Sequence, residues 1–425
     1  MHRLARVQTA TWQAVPEVAA RRWQAGKAAQ VAFFATALFA AQLYLSPAQW
    51  FPALEPLHHA AILSVVALGA LLVRRVLTNE PLWMGWRTAL LALYVGTAVL
   101  SPIWSIAPKH SVDGALEVAK HLLFFVAVTN AVDTPRRLRI ALALYALAAI
   151  APGWGTFDNY IHDQLLVEGF RGRWLGVMAD PNHDAMALVG AIPILLFLTT
   201  GHGHGWALRI AGALGSAACI MGIIATHSRG GSVGLAAAVL LFALLSRRKA
   251  IASVLVLVAA AGMMLFAPTS FWERNETSTQ GGEDLSIEGR LQAWQVAGRA
   301  FRERPVLGVG EGAFLEAWSQ YAPIDSGRLF GHRYVAHNLV LEVLAELGVV
   351  GLFGLAGFIT ICLWSAWRAR HGELGGEARA VLAALIGYLI CQMFSGYSTS
   401  WFLYALCGFA TCCDIWGKRT APETV

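Results

Sequence analysis

Apolar runs of about 16 to 24 residues, parted by short links rich in charge, Pro, Gly or Asn, recur along this chain, and each is long enough to cross the roughly 30 Å hydrocarbon core of a bilayer at about 1.5 Å per residue. The pattern predicts twelve spans, near 28–46, 59–76, 86–104, 114–132, 138–155, 184–200, 206–226, 231–246, 250–267, 341–367, 378–396 and 400–416. Lys120 and His121 interrupt the fourth. The expected fold is therefore an all-α polytopic membrane protein of about 12 transmembrane helices. One large helical loop lies on the outer side between spans nine and ten. The expected domains are 1–267 (spans one to nine), 268–336 (the loop) and 337–425 (spans ten to twelve). The first apolar run is long enough to span, so it reads as a retained helix behind a basic leader (Arg3, Arg6, Arg21, Arg22, Lys27) and not as a cleaved signal.

Composition agrees with the pattern. Charged residues make up 14% of the 425 positions and hydrophobic ones 57%, against roughly 25% charged in a soluble chain. A soluble enzyme, a disordered scaffold and a secreted disulfide framework are excluded. The six cysteines all lie in or beside predicted spans, where they read as small apolar packing residues.

Charge placement gives the orientation. With the N-terminus inside, 20 of the 32 Lys and Arg fall on inner segments, including the Arg247-Arg248-Lys249 cluster. The positive-inside rule then predicts both termini cytoplasmic. The net charge of +6 is accounted for by topology, and no nucleic-acid motif is present. Of the 12 basic residues left outside, ten are Arg. The loop 268–336 holds seven Arg, no Lys and nine acids. Arginine among compensating acids suits bidentate capture of phosphate or carboxylate. The other use for each is a pair with Glu288, Glu303, Glu311 or Asp325.

Within the loop, residues 289–303 place Leu291, Trp294, Ala297 and Phe301 at helical spacing, and Pro305 stops the run. Residues 312–320 read as a second short helix. The glycines at 308, 310 and 312 follow no strand, so they read as a tight turn and not as a nucleotide loop. His337, at the outer end of the tenth span, can reach water yet sits where desolvation matters, and its imidazole can accept a hydroxyl proton near neutrality. Glu342 and Glu346 follow on the same helix and need partners, for which a loop Arg is the natural candidate. The outer turn 168–184 carries Arg171, Arg173, Asp180, Asn182, His183 and Asp184, and the turn 226–231 holds Arg229 at or within the interface. A charge there is costly and marks function by default. His202 and His204 are too few for a metal site and read as a loop; the sequon Asn275-Glu276-Thr277 reads as chance.

The order of these features resembles the bacterial O-antigen ligase / O-antigen polymerase superfamily. The carrying residues are Arg173, Pro181-Asn182, Ser228-Arg229-Gly230, Gly289-Arg290, Trp294, Pro305, Gly308, Gly310, His337-Asn338, Glu342, Glu346, Gly348 and Gly351. They extend over about 165–355. The resemblance implies a glycosyltransferase of the bacterial inner membrane, acting on the periplasmic side in lipopolysaccharide biosynthesis. Its implied donor is O-antigen polysaccharide on undecaprenyl diphosphate, and its implied acceptor is lipid A–core. It implies metal-independent, inverting chemistry with no cofactor. In that reading His337 is the base and Arg290 stabilises the leaving diphosphate, which Arg229, Arg173 and Arg171 help to hold. Asn338, Glu342 and Asn182 support them. An O-antigen polymerase or a protein O-oligosaccharyltransferase would keep the chemistry and change the acceptor. A lipid-linked sugar transporter would show inverted repeats and charge near mid-membrane, and the sequence shows neither.

Overall fold

A computed structural model describes residues 2–201, 203–246, 249, 285–322 and 332–418. No strand forms among them; Val167 and Arg171 make one isolated bridge. The helices that build the bundle are α1 (His2–Leu45), α2 (His59–Thr78), α3 (Trp86–Leu100), α4 (Pro108–Ala131), α5 (Pro135–Ala148), α6 (Ile150–Ile161), α7 (Pro181–Thr200), α8 (Trp206–Ala225) and α9 (Arg229–Leu245). Then come α10 (Leu285–Glu303) and α11 (Phe314–Tyr321) of the loop, and α12 (Leu339–Ala369), α13 (Gly375–Ser395) and α14 (Trp401–Lys418).

Eight helical stretches among the described residues are long and apolar enough to cross a membrane, and α9 and α14 are shorter apolar helices. The protein is thus a multi-pass membrane protein. The fourth expected span is one unbroken helix, α4, running through Lys120 and His121, and it is not among the eight. The fifth is a pair, α5 and α6, meeting at Ala149 within a single 27-residue stretch. α1 begins far ahead of the span expected at 28–46. The ninth expected span, 250–267, lies outside the described residues, as do His202, Arg274, the sequon at Asn275, Asp325 and Arg328.

Local chemistry starts the helices. Asp180, Thr134, Ser228 and Asn338 each accept backbone N–H bonds as N-caps, and Pro181 and Pro135 occupy the first helical position, where no N–H is needed. α7 is apolar on every face, and nearly all of it from Asp184 to Leu198 is buried, so it stands at the centre of the bundle. The short links make successive helices return against one another. One end of the bundle therefore collects residues 46–58, 101–107, 162–180, 226–228, 332–338 and 396–400. At the opposite end basic residues meet acids: Arg74 and Arg137 with Asp133, Arg87 with Asp414, and Arg139 with Glu377.

α12 is broken. Gly348 has φ +61 and ψ −160 within it, leaving backbone groups on both sides without helical partners. Bare polar groups at membrane depth are costly, and the segment after α10 meets them. Val309 N donates to Ala345 O at 2.9 Å and Gly310 N to Glu346 O at 2.8 Å. Val349 N donates to Pro305 O at 2.9 Å and Val350 N to Val306 O at 3.3 Å. The approach is so close that a Cβ on Gly308 would lie 2.4 Å from the Glu346 backbone, and one on Gly348 2.3 Å from Val306 O. Both residues also hold positive φ, which side chains other than glycine's resist. The Pro-x-x-Gly-x-Gly run is the patch on a broken helix.

The loop has a small core of its own. Ala293, Val296, Ala297 and Ala300 of α10 pack on Phe314, Ala317, Trp318 and Tyr321, with Ala336 and Ala345. The buried stripe of α10 thus differs from the predicted one: Leu291 and Trp294 are substantially exposed. Small residues face inward because α10 lies close against the segment that leads into α12.

Candidate functional site

His337 is held from three directions. The Trp294 indole of α10 donates to the carbonyl of Ala336, the residue before it, at 3.0 Å. The residue after it, Asn338, caps α12 by accepting from Val340 N and Leu341 N at 3.0 and 3.1 Å, and donates from Nδ2 to Met393 O at 3.2 Å. His337 itself sits at φ +48, a left-handed conformation uncommon for a side-chain-bearing residue and tolerated only where neighbours impose it. Its Nδ1 lies 3.2 Å from the carbonyl of Ser395. A carbonyl only accepts, so Nδ1 carries the proton and donates, and the Nε2 lone pair is left available. Burial, and then the positive charge of Arg290, lower the His337 pKa to about 4. The imidazole is neutral at physiological pH.

Arg290 projects from the first half of α10, one turn before Trp294, so the Trp294–Ala336 bond also fixes the helix that carries it. Arg229 opens α9 behind the Ser228 cap. The start of α9 abuts the outer end of α13, where Cys391 Sγ lies 3.5 Å from Gly230 O, four residues before Ser395. The turn before α7 completes the group. Asn182 Oδ1 accepts from Arg171 Nη2 at 2.8 Å and from Ser228 Oγ at 3.0 Å, tying that turn to the turn at Arg229. Arg171 is buried and further engaged, Nε donating to Thr226 O at 3.0 Å and Nη1 to Glu168 at 3.4 Å. Half-buried Arg173 donates from Nη1 to Ala179 O at 3.2 Å. Burial works to raise the Asp180 carboxyl's pKa, but His183, the backbone N–H groups of Asn182 and His183, and Arg171 outweigh it and hold it below its ordinary value. Asp180 and His183 stand near enough for their charges to act on His337.

The acids on α12 do not take the loop arginines expected of them. Glu342 Oε1 accepts from Ser398 N at 3.2 Å and Ser398 Oγ at 2.8 Å, and Glu346 Oε1 from Phe314 N at 3.0 Å. Backbone amides and a serine satisfy these carboxyls because the loop and the 396–400 turn close directly over them. Glu311 joins them underneath, its pKa pushed well up by burial and then by Glu342. The arginines that might have paired with acids also chose otherwise. Arg299 donates to the Tyr321 and Ala322 carbonyls, Arg302 to Gly298 O and Arg304 to Trp104 O, whereas Arg333 pairs with Glu316 at 3.1 Å. Arg299 caps the end of α11 and Arg304 reaches the 101–107 link, while Arg302 turns back on its own helix.

Pattern reading missed the turn 396–400, which looked like a plain link between two spans. It supplies Ser398 to Glu342, and Ser395 just before it orients His337. Its Tyr397 ring stacks on His183, centroids 4.4 Å apart and planes 8° from parallel. No local signal in Gly-Tyr-Ser-Thr-Ser announces any of this, because every partner is distant in sequence. His204 donates from Nδ1 to Leu198 O at 2.9 Å, an ordinary loop contact. All six cysteines are buried and unbridged.

The O-antigen ligase family model matches residues 214–356, an interval that holds Arg229, Arg290, the 305–310 patch and His337-Asn338. A curated O-antigen ligase of Pseudomonas aeruginosa is 28% identical over 306 residues, covering 70% of this chain and 67% of the relative. Over these residues the chain is similar to O-antigen ligases.

Proposed function

We propose, with the O-antigen ligase family as premise, that this protein transfers O-antigen polysaccharide from undecaprenyl diphosphate to the lipid A–core acceptor. The observation that carries the reading is the pairing of a neutral, Nδ1-anchored His337 with the charge of Arg290 beside it. Nε2 of His337 takes the proton of an acceptor sugar hydroxyl as its oxygen bonds to the donor's anomeric carbon. The bond from that carbon to the diphosphate oxygen breaks on the opposite face, so the anomeric configuration inverts. Arg290, with Arg229 and Arg173, holds the departing diphosphate and stabilises its growing charge, a contribution typically worth about 10²–10³ in rate per donor. They take the part that a metal ion plays in other glycosyl transfers. Arg171, whose guanidinium already serves three acceptors inside the protein, positions the turn and does not grip substrate.

Substrate binding supplies a further effect. The diphosphate offsets the charge of Arg290, one of the two main causes of the low His337 pKa, so the imidazole becomes a stronger base when the donor arrives. An apolar groove of about 410 Å³ between α12 and α13 begins at Leu339 and Val340, directly below the histidine, and suits part of a polyprenyl chain. The excess of basic residues on the far end of the bundle supports an inner-membrane protein with both termini cytoplasmic and this site facing the periplasm.

The test is transfer in vitro by purified protein from lipid-linked O-antigen to lipid A–core, with EDTA present. Labelled lipid A–core as product supports the ligase. Product only on lipid-linked acceptor makes the protein a polymerase, and loss of transfer on chelation removes the metal-independent mechanism.

A further inference from the structure

We infer that the stacked rings of His183 and Tyr397 form a positioning device, which holds the 395–398 backbone where its Ser395 carbonyl can orient His337. The proposal rests on the reading of His337 as the base, and it assigns His183 a mechanical role and no proton transfer. Two bodies meet at this stack. His183 lies in the first turn of α7, the central helix, and its backbone N–H is held by Asp180 at 3.2 Å. The neighbouring Asn182 is bonded to Arg171 and Ser228. That side is anchored to the arginine turns.

Tyr397 belongs to the other body. Its carbonyl accepts from Gln392 Nε2 at 3.0 Å and from Ser400 N at 3.1 Å. The next residue, Ser398, is bonded to Glu342 and accepts from Tyr404 OH at 2.9 Å. Two residues before Tyr397, the Ser395 carbonyl takes the His337 Nδ1 proton. The stack at 4.4 Å and 8° is therefore a face-to-face join between the segment that carries arginines and the segment that aims the histidine. Flat stacking transmits position without needing a proton, and a misplacement of about 1 Å at a reacting group costs on the order of 10²-fold in rate.

The experiment compares His183→Ala, His183→Phe, Tyr397→Ala and the double alanine variant in full-length protein in detergent, checked by thermal unfolding. Two readouts are taken: kcat and KM for transfer, and the substrate-free rate at which diethyl pyrocarbonate modifies His337, followed by mass spectrometry. Expected are a fall in kcat of about 10²-fold for either alanine variant, KM within about 2-fold, and a changed His337 modification rate. The double variant should be no worse than either single one, as for residues acting through one contact. Phenylalanine at 183, flat but unable to carry a proton, should restore kcat to within about 3-fold. If His183→Phe is as inactive as His183→Ala, the imidazole does chemistry and the proposal falls. It falls equally if His183→Ala keeps wild-type kcat and His337 reactivity. Should the wild type transfer nothing while the His337 modification rate changes in both alanine variants and returns with phenylalanine at 183, the positioning role stands and the ligase reading fails instead.

Discussion

Trp294 donates its indole proton to the carbonyl of Ala336, and that single bond of 3.0 Å ties the helix bearing Arg290 to the turn bearing His337. The Gly-Arg-x-x-x-Trp spacing acquires a reason from it: Arg290 and Trp294 are one helical turn apart, so both point toward the same segment. Trp294→Phe keeps most of the ring and removes the donor. A lost hydrogen bond of about 1 kcal/mol corresponds to roughly a 5-fold change. A fall in kcat of that order is expected, with little change in the unfolding temperature.

His337→Gln preserves a side-chain donor for the Ser395 carbonyl but offers no basic nitrogen. General-base removal typically costs about 10²–10⁴ in rate. Turnover should drop by that factor while donor binding, measured by competition with a soluble polyprenyl diphosphate analogue, stays near the wild-type level. Near wild-type turnover would remove His337 from the chemistry.

Arg290→Lys and Arg171→Lys should fail in different ways. At position 290 the charge is retained and the planar fork lost, so kcat should fall by about 10–10³-fold with normal thermal stability. At position 171 a lysine cannot reach Thr226 O, Asn182 and Glu168 together. That substitution should lower the unfolding temperature first, and activity only in proportion to protein that unfolds.

The pH dependence follows from the sign of the His337 shift. The base works when neutral, so kcat/KM should rise with pH through about 4 and be level near neutrality. Because bound diphosphate offsets Arg290, the acid limb of kcat should lie at higher pH than that of kcat/KM. Stability follows the same group: an unfolded histidine titrates near 6.5, so the folded chain, which keeps His337 neutral, loses stability as pH falls from about 6.5 toward 4 and no further below it. His337→Gln should flatten that part of the unfolding-temperature profile.

Gly308→Ala and Gly348→Ala should each destabilise beyond the roughly 0.5–3 kcal/mol of ordinary substitutions. The added methyl group meets backbone within 2.4 Å and also disfavours the positive φ. Thermal unfolding in detergent checks this, with Gly298→Ala as a control, since a Cβ there meets nothing within 4 Å.

Much of the fold was legible because hydrocarbon imposes one rule on every span, and that rule is written in composition. The caps Asp180, Ser228 and Asn338 start their helices two or three residues ahead of the expected spans at 184, 231 and 341. The break at Gly348 was not legible: Leu-Gly-Val-Val-Gly reads as continuous helix, and only the arrival of residues 305–310 makes the break affordable. In the site, Arg290, Arg229 and His337 stood out as charges or a titratable group at a membrane surface. The use of Arg171 as a strut, the amide partners of Glu346 and the His183–Tyr397 stack were hidden for one shared reason. Each depends on which distant backbone lies nearby, and local spacing carries no information about that.

The patched break also bears on how the chain is made. Residues 305–310 leave the ribosome before residues 339–350, so the segment that satisfies the interrupted helix exists before the interruption does. The second half of that helix need never face lipid with its amides bare. A circular permutant that placed 305–310 after 350 would reverse that order, and it should insert poorly.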